Sequence, residues 1–368
     1  MEIRTTEQHG EGDLSYGIAH QLEEICRSIP FIQKIDRPCD KPDQPNNLIF
    51  SLKIGNDART IFVEAKQVGQ PRNTKAAIAS WNMRKKQFPD AYFLFAAPYV
   101  SDSSRAICKD SGVGYVDLQG NCFISFDKIF IDRFGFEKEA ESRQLQSVFK
   151  EKASRVLRRL LTDPAGPWHV QQLAKEASVS IGLVSQIKTK LMDSEILEQR
   201  GEAFTVIQPE QLLRQWALEY PFKKHKAVEF YSPLSLNELE TLISQKCIST
   251  GIEHAFTLAT AAKMTGVEHA KGVSRIHIYT QQEPHIIAER LGFKYVESGG
   301  NVIILQPFDT DILYNTRQIQ GLCVVSDLQL YLDFSAQKGR VQETAEVLFD
   351  TRIKLGWEES DFAPADES

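Results

Sequence analysis

Apolar residues at helical spacing, Ile18, Leu22 and Ile25, predict a helix over Tyr16–Ser28. A polar, proline-containing stretch, Arg37–Asn47, separates it from two runs of strand character, Leu48–Ile54 and Thr60–Lys66, joined at a Gly55–Asp57 turn. Ala76–Arg84 then reads as a helix, Ala91–Ala97 as a short apolar strand, Val100–Ser111 as a helix, and Val113–Leu118 and Cys122–Ser125 as strands. Strands alternating with helices predict an α/β domain over residues 1–136. The charged stretch Glu137–Phe149 reads as a linker.

The pattern then turns helical. Ala153–Leu161 is a predicted helix, broken at Asp163–Pro167, and His169–Ala177 is a second, with Val170, Leu173 and Ala174 on one face. Ser178 and Val179 make a tight turn, and Ser180 is placed to cap the helix that follows. That helix puts Ile181, Val184, Ile187 and Leu191 on one side and Ser185, Gln186, Lys188, Thr189 and Lys190 on the other. Ile196–Gln199 and Phe204–Gln208 read as strands around Arg200-Gly201-Glu202, a hairpin. Helix, turn, helix and hairpin over residues 150–220 make a winged helix-turn-helix, for which duplex DNA is the expected partner. Ser180, Ser185, Gln186 and Thr189 are suited to base edges and the helix start, and Lys188, Lys190 and Arg200 to phosphates. The same elements also occur as plain packing or protein-docking modules.

Beyond a boundary at Tyr220–Lys226, the chain alternates again. Ser235–Gln245, Pro284–Leu291, Asp327–Leu332 and Gln342–Leu355 read as helices, Ser274–Tyr279 and Asn301–Gln306 as strands, and Phe256–Lys263 is small and apolar. Residues 227–358 therefore read as a third, α/β domain.

Charge sharpens the middle of this picture. Lys150–Arg200 carries nine basic and six acidic residues inside a chain of net charge −6, which fits a directed contact with phosphate. Hydrophobic content of 42% and 25% charged residues are ordinary for a soluble protein. No apolar run approaches the roughly 18–20 residues of a membrane span, and the polar start Met1-Glu2-Ile3-Arg4 lacks a signal-peptide core. The six cysteines show no Cys-x-x-Cys pairing, so a zinc site of the usual spacing is not expected and a cytoplasmic location is.

Phe62-Val63-Glu64-Ala65-Lys66 places Glu64 and Lys66 on one face of a strand. A carboxylate there can hold a divalent metal, and an ammonium can orient an attacking water. The string resembles the PD-(D/E)xK nuclease core, in which an Asp on the preceding strand completes the metal site. By spacing, Asn47 stands at that place, and the nearby acid is Asp43. Glu64, Lys66, Asp43 and Asp117 are the candidate catalytic residues, Glu64 and Asp43 the candidate metal ligands, and Mg²⁺ is expected only if this domain is active. An ion pair at a strand end is the alternative for Glu64 and Lys66. Asp117, inside Gly112–Asn121, is either part of a site or a turn-forming acid. Ala65–Pro89 holds six basic residues and no acid, with Trp81 and Phe88 interleaved. Arg84, Lys85 and Lys86 in this run are candidates for gripping a nucleic-acid backbone, against a plain solvated helix face.

Phe62–Lys66, Ala97–Ser101 and Gly112–Asn121, with Val296–Val302, Leu305–Asp309, Val324–Asp333 and Gly339-Arg340, resemble AbiEi-family antitoxins of type IV toxin–antitoxin systems. The resemblance implies a restriction-endonuclease-like α/β domain, a central winged helix-turn-helix, and a C-terminal minimal nucleotidyltransferase-like α/β domain. It also implies a transcriptional regulator that represses its own operon and antagonises a nucleotidyltransferase-like toxin. Asp309-Thr310-Asp311 has the spacing of transferase carboxylates without the upstream Gly-Ser motif, and reads as a turn and helix cap. Repressors of this kind bind paired half-sites, so a homodimer is a possible state. The alternative function is a Mg²⁺-dependent nuclease targeted by the winged helix, and a third is a protein-docking scaffold.

Overall fold

The structure is a computed structural model that describes residues 8–30, 32–36, 47–54, 57–136, 147–267 and 275–361. Asp43, residues 55–56, most of the expected linker and Ser274 lie outside the described residues. The chain forms two compact units, residues 1–145 with 189–195, and residues 146–188 with 196–368.

In the first unit, α1 (Gln8–Arg27) precedes β1 (Ile32–Asp36), β2 (Asn47–Ile54) and β3 (Asp57–Ala65). Then come α2 (Pro71–Arg84), β4 (Ala91–Ala97), α3 (Asp102–Asp110), β5 (Gly114–Asp117), β6 (Cys122–Phe126) and β7 (Ile129–Arg133). The seven strands lie side by side in chain order. β3, β4 and β5 run parallel and every other pairing is antiparallel. Helices α2 and α3 make the crossovers that parallel neighbours require.

Strand alternation sorts the core into two faces. Leu48, Phe50, Ile61, Val63, Leu94, Ala96 and Val116 join Leu14, Ile18 and Leu22 of α1. Phe62, Phe93, Phe95 and Tyr115 join Ala77 and Trp81 of α2 and Cys108 of α3. The parity that sends Val63 toward α1 sends Phe62 and Glu64 toward α2. Edge strands β1 and β7 were not expected from the sequence, and α2 starts five residues before the expected Ala76, with Pro71 in its first turn.

The second unit opens with α4 (Glu151–Thr162), α5 (Val170–Glu176), α6 (Ile181–Asp193, of which 189–193 count with the first unit), β8 (Leu197–Arg200), β9 (Ala203–Val206) and α7 (Pro209–Glu219). It continues with β10 (Lys226–Tyr231), α8 (Leu236–Ser249), β11 (His254–Thr257), α9 (Leu258–Thr265), β12 (Ile276–Thr280) and α10 (Pro284–Leu291). β13 (Lys294–Tyr295), β14 (Val302–Gln306), β15 (Arg317–Ile319), β16 (Leu322–Val324), α11 (Asp327–Ser335), α12 (Arg340–Leu348) and α13 (Lys354–Asp361) complete it. Its large sheet is mixed, in the order β13-β10-β14-β12-β11-β16-β15.

Residues 227–358, and residues 150–220 apart from 189–195, fall within this one unit, and the side chains between them explain why. Asp309 caps the short turn Thr310–Leu313 by accepting from the Asp311 N–H at 2.8 Å. Arg155 of α4 reaches both Asp309 oxygens at 3.0 and 2.9 Å, and Arg159 grips Asp311 at 2.8 and 2.7 Å. The Trp357 indole on α13 donates to the Leu161 carbonyl of α4 at 2.8 Å. Arg214 of α7 pairs with Glu346 of α12 through two 2.9 Å hydrogen bonds.

Deeper in, helix α11 is buried from Leu328 to Phe334. Its two polar members, Gln329 and Asp333, join a network that leaves Gln329 Oε1 without a partner among the described residues. Asp333 accepts from Thr257, from Tyr279 at 3.0 Å and from Gln329 at 2.6 Å. Gln329 also donates to the Tyr220 hydroxyl at 2.7 Å, which contacts His225 Nε2 at 3.1 Å. Burial pushes the Asp333 carboxyl up to about 7, against the pull of these hydrogen bonds, and pushes His225 down to about 4. Loss of one partner from such a network leaves a buried polar group unsatisfied.

The α4 pairs give a direct test. Arg159→Met keeps much of the apolar stem but leaves the largely buried Asp311 carboxylate with Arg158 at 3.7 Å in place of the bidentate pair. Urea unfolding is expected to show a loss of about 3 kcal/mol; a loss below about 0.5 kcal/mol would mean the pair does not hold the unit together.

Candidate nucleic-acid interface

The turn before α6 forms because Ser178 adopts φ 52°, a left-handed conformation that reverses the chain. Ser180 Oγ then accepts from the Leu183 N–H at 3.2 Å, as its N-cap position requires. Val184, Ile187 and Leu191 are buried, so the apolar stripe faces inward as its spacing predicts. Ile181 departs from expectation: it is 54% exposed, because the stripe reaches the core only one turn into the helix.

Ser185, Gln186 and Thr189 are exposed, and Lys188 and Lys190 are half-buried. The Lys188 amine lies 5.0 Å from the centroid of Phe204 in β9, a cation–π contact between helix and hairpin. Gly201 turns the hairpin at φ 63°, and Gln199 Nε2 ties it by donating to the Gly201 and Ala203 carbonyls at 2.6 and 2.9 Å. Trp168 and Phe204 exchange two backbone hydrogen bonds, which fix the hairpin to the chain ahead of α5. Arg200 is exposed beside Glu198 at 3.0 Å. Such an exposed pair contributes little to stability. Of the nine basic residues counted over Lys150–Arg200, Arg155 and Arg159 are committed to Asp309 and Asp311, and Arg158 lies 3.7 Å from Asp311 over the Trp216 ring. The local positive charge available to DNA is smaller than the count implies.

The candidates in the first unit assemble differently. Glu64 is 4% exposed and stands opposite Asn47 in the β2–β3 register. Lys66 Nζ lies 2.9 Å from Glu64 Oε1, and Arg84 Nη2 lies 3.2 Å from Oε2. Arg84 therefore folds onto Glu64 and is not presented to a phosphate backbone. Trp81 is also withdrawn, stacked between Phe62 and Phe93 at 5.4 and 5.0 Å. Lys85 and Lys86 remain exposed on the turn after α2.

Asp117 is fully buried and belongs to a turn. Its oxygens accept from the N–H groups of Val100 at 3.2 Å and of Gln119 and Asn121 at 3.0 Å, and from Asn121 Nδ2 at 2.9 Å. Arg105 lies 4.0 Å away. Burial raises the Asp117 carboxyl above its usual range, with these hydrogen bonds and Arg105 pulling against it. In the register Glu64 meets Phe95, which meets Tyr115; Asp117 is two strands across and two residues further on, so it does not join Glu64. Among the described residues no cluster of three His, Cys, Asp or Glu could hold a metal. A Mg²⁺ ion needs oxygen anions; beside Glu64 the structure supplies an amide and two cations, and the donor set does not fit. Among the described residues, no helix is long and apolar enough to cross a membrane.

Residues 205–354 match the family model AbiEi_2, described as "Transcriptional regulator, AbiEi antitoxin, Type IV TA system". That stretch of the chain is an AbiEi-type regulator and antitoxin domain, running from β9 into the last helix. No curated protein matches the chain. Among solved structures, the apo form of EndoMS is similar at TM-score 0.21 and 10% identity, over 27% of this chain and 45% of that one. The chain thus spans less than half of that protein, and a score this low carries no argument about chemistry.

Asp117→Asn separates a turn residue from a site residue. It exchanges an acceptor of four N–H donations for an amide, and chemical denaturation is expected to show a loss of about 1–3 kcal/mol. DNA binding at a temperature where the variant is folded is expected to stay unchanged. Unaltered stability with lost DNA binding would make Asp117 a functional residue.

Proposed function

We propose that the protein is a sequence-specific DNA-binding regulator of the antitoxin kind, which represses its own operon by occupying the operator. The observation that carries this is the α6 surface: Ser185, Gln186 and Thr189 exposed together on a capped helix, beside a hairpin ending in an exposed Arg200. Residues 150–220 serve as the winged helix-turn-helix, α6 enters the major groove, and the hairpin is the wing. Ser185, Gln186 and Thr189 read base edges, and Lys188, Lys190 and Arg200 hold phosphates. Residues 227–358, with their AbiEi-type match, act against a nucleotidyltransferase-like toxin on a minimal nucleotidyltransferase-like sheet. Two copies on paired half-sites fit repression by occupancy.

Residues 1–136 follow the helix, three-strand meander, helix and parallel strand order of a restriction-endonuclease-like domain. Neutralisation of Glu64 by Lys66 and Arg84 favours a domain that does not cut. No observation favours the nuclease reading over the regulator.

Two substitutions divide readout from anchoring. Gln186→Ala is expected to lose about 1–3 kcal/mol of discrimination at one base pair of the operator while nonspecific binding persists. Lys190→Ala is expected to weaken binding to every duplex and to lower the salt slope by about one. Titration of operator and scrambled duplexes at several salt concentrations reads both. Wild-type behaviour of both variants would show that α6 is not the reading helix.

A further inference from the structure

A PD-(D/E)xK metal site works because two or more carboxylates converge on one dication. In this chain Glu64 keeps the place and the burial of such a ligand, and its surroundings have changed sign. The residue opposite it, Asn47, is neutral. Both carboxylate oxygens already face a cation, Lys66 on Oε1 and Arg84 on Oε2.

Arg84 is also held for this task. Its guanidinium hydrogen-bonds Ser80 through the hydroxyl, and its Nε donates to the Ser80 carbonyl at 3.4 Å, one turn back on α2. The same guanidinium lies 5.3 Å from the centroid of the Phe62 ring, two residues from Glu64 on the same face of β3. Arg84 stands in the last turn of α2, where the helix dipole favours a positive charge. A divalent ion at Glu64 would have to displace this fixed cation and leave the guanidinium to find another partner.

We infer that Arg84 is the resident counter-ion of Glu64, taking the electrostatic place of a divalent metal, so that the first unit is built to work without one. The inference rests on the nuclease-like reading only for the expectation that a metal belongs beside Glu64; the ion pairs stand independently of it. It also assigns Arg84 a role other than phosphate binding, and leaves Lys85 and Lys86 as the exposed cations of that helix end.

The test uses the full chain and Mn²⁺, titrated calorimetrically and followed by thermal melting. Wild type and Glu64→Gln are expected to give the same Mn²⁺ isotherm, with the wild-type Tm the same in EDTA and in Mn²⁺. Arg84→Ala combined with Asn47→Asp restores two facing carboxylates and removes the guanidinium. This variant is expected to bind Mn²⁺ at least about tenfold more tightly than wild type, with a Tm raised by Mn²⁺. Adding Glu64→Gln should abolish both gains. Glu64-dependent Mn²⁺ binding by the wild type would overturn the inference, and so would a folded double variant with no gain. The wild-type comparison needs no destabilised protein, so it decides the matter even if the double variant does not fold. DNA is absent from the experiment, so failure of the regulator reading leaves the result untouched.

Discussion

The second unit is organised around three arginines on one helix. Arg155, Arg158 and Arg159 of α4 lie within a single turn of one another and meet the Asp309–Asp311 turn, with bidentate geometry at Asp311. A carboxylate pair this close would be unstable alone in a partly buried site, and the guanidinium forks supply both charge and direction. The helix that begins residues 150–220 is thereby fixed to the sheet that carries the AbiEi-type match. Trp357 closes the other end of α4, and Arg214–Glu346 repeats the device between α7 and α12. The buried Gln329–Asp333 network adds a polar register between α7, α11 and the sheet. The pairs contribute specificity of packing more than net stability, because desolvation offsets much of the Coulomb attraction.

This arrangement has a consequence for the regulator. Helix α4 and the C-terminal sheet belong to one compact unit, so loosening the α4–Asp311 contact would disturb the packing of both. In the first unit the same chemistry recurs at Glu64, whose carboxylate meets both Lys66 and Arg84.

Much of this was legible in the sequence where the signal was local. The α6 stripe from Val184 to Leu191, the Ser180 cap and the Arg200-Gly201-Glu202 hairpin depend on neighbours within a few residues, and they stand as expected, while Ile181 at the start of the stripe is exposed. β1 and β7 were missed because short edge strands bury few side chains and show little alternation. β10 was hidden at an expected boundary, since it begins with exposed residues. Trp81 looked like a nucleic-acid contact because a buried and an exposed aromatic read alike until Phe62 and Phe93 are brought to it. The charge count misled for the same reason. Arg159 finds Asp311 across 152 residues, and Arg84 finds Glu64 across 20; no local pattern announces such partners.

The central claim is that the protein reads duplex DNA and leaves it intact. The most direct measurement is a binding titration of the full chain against DNA from immediately upstream of its own gene and a scrambled duplex of equal length. It would be run at two salt concentrations with Mg²⁺ present, and the recovered DNA resolved on a denaturing gel. The account predicts tight, salt-sensitive, sequence-selective binding and uncut strands. Equal affinity for both duplexes, or metal-dependent cleavage that Glu64→Ala abolishes, would contradict it.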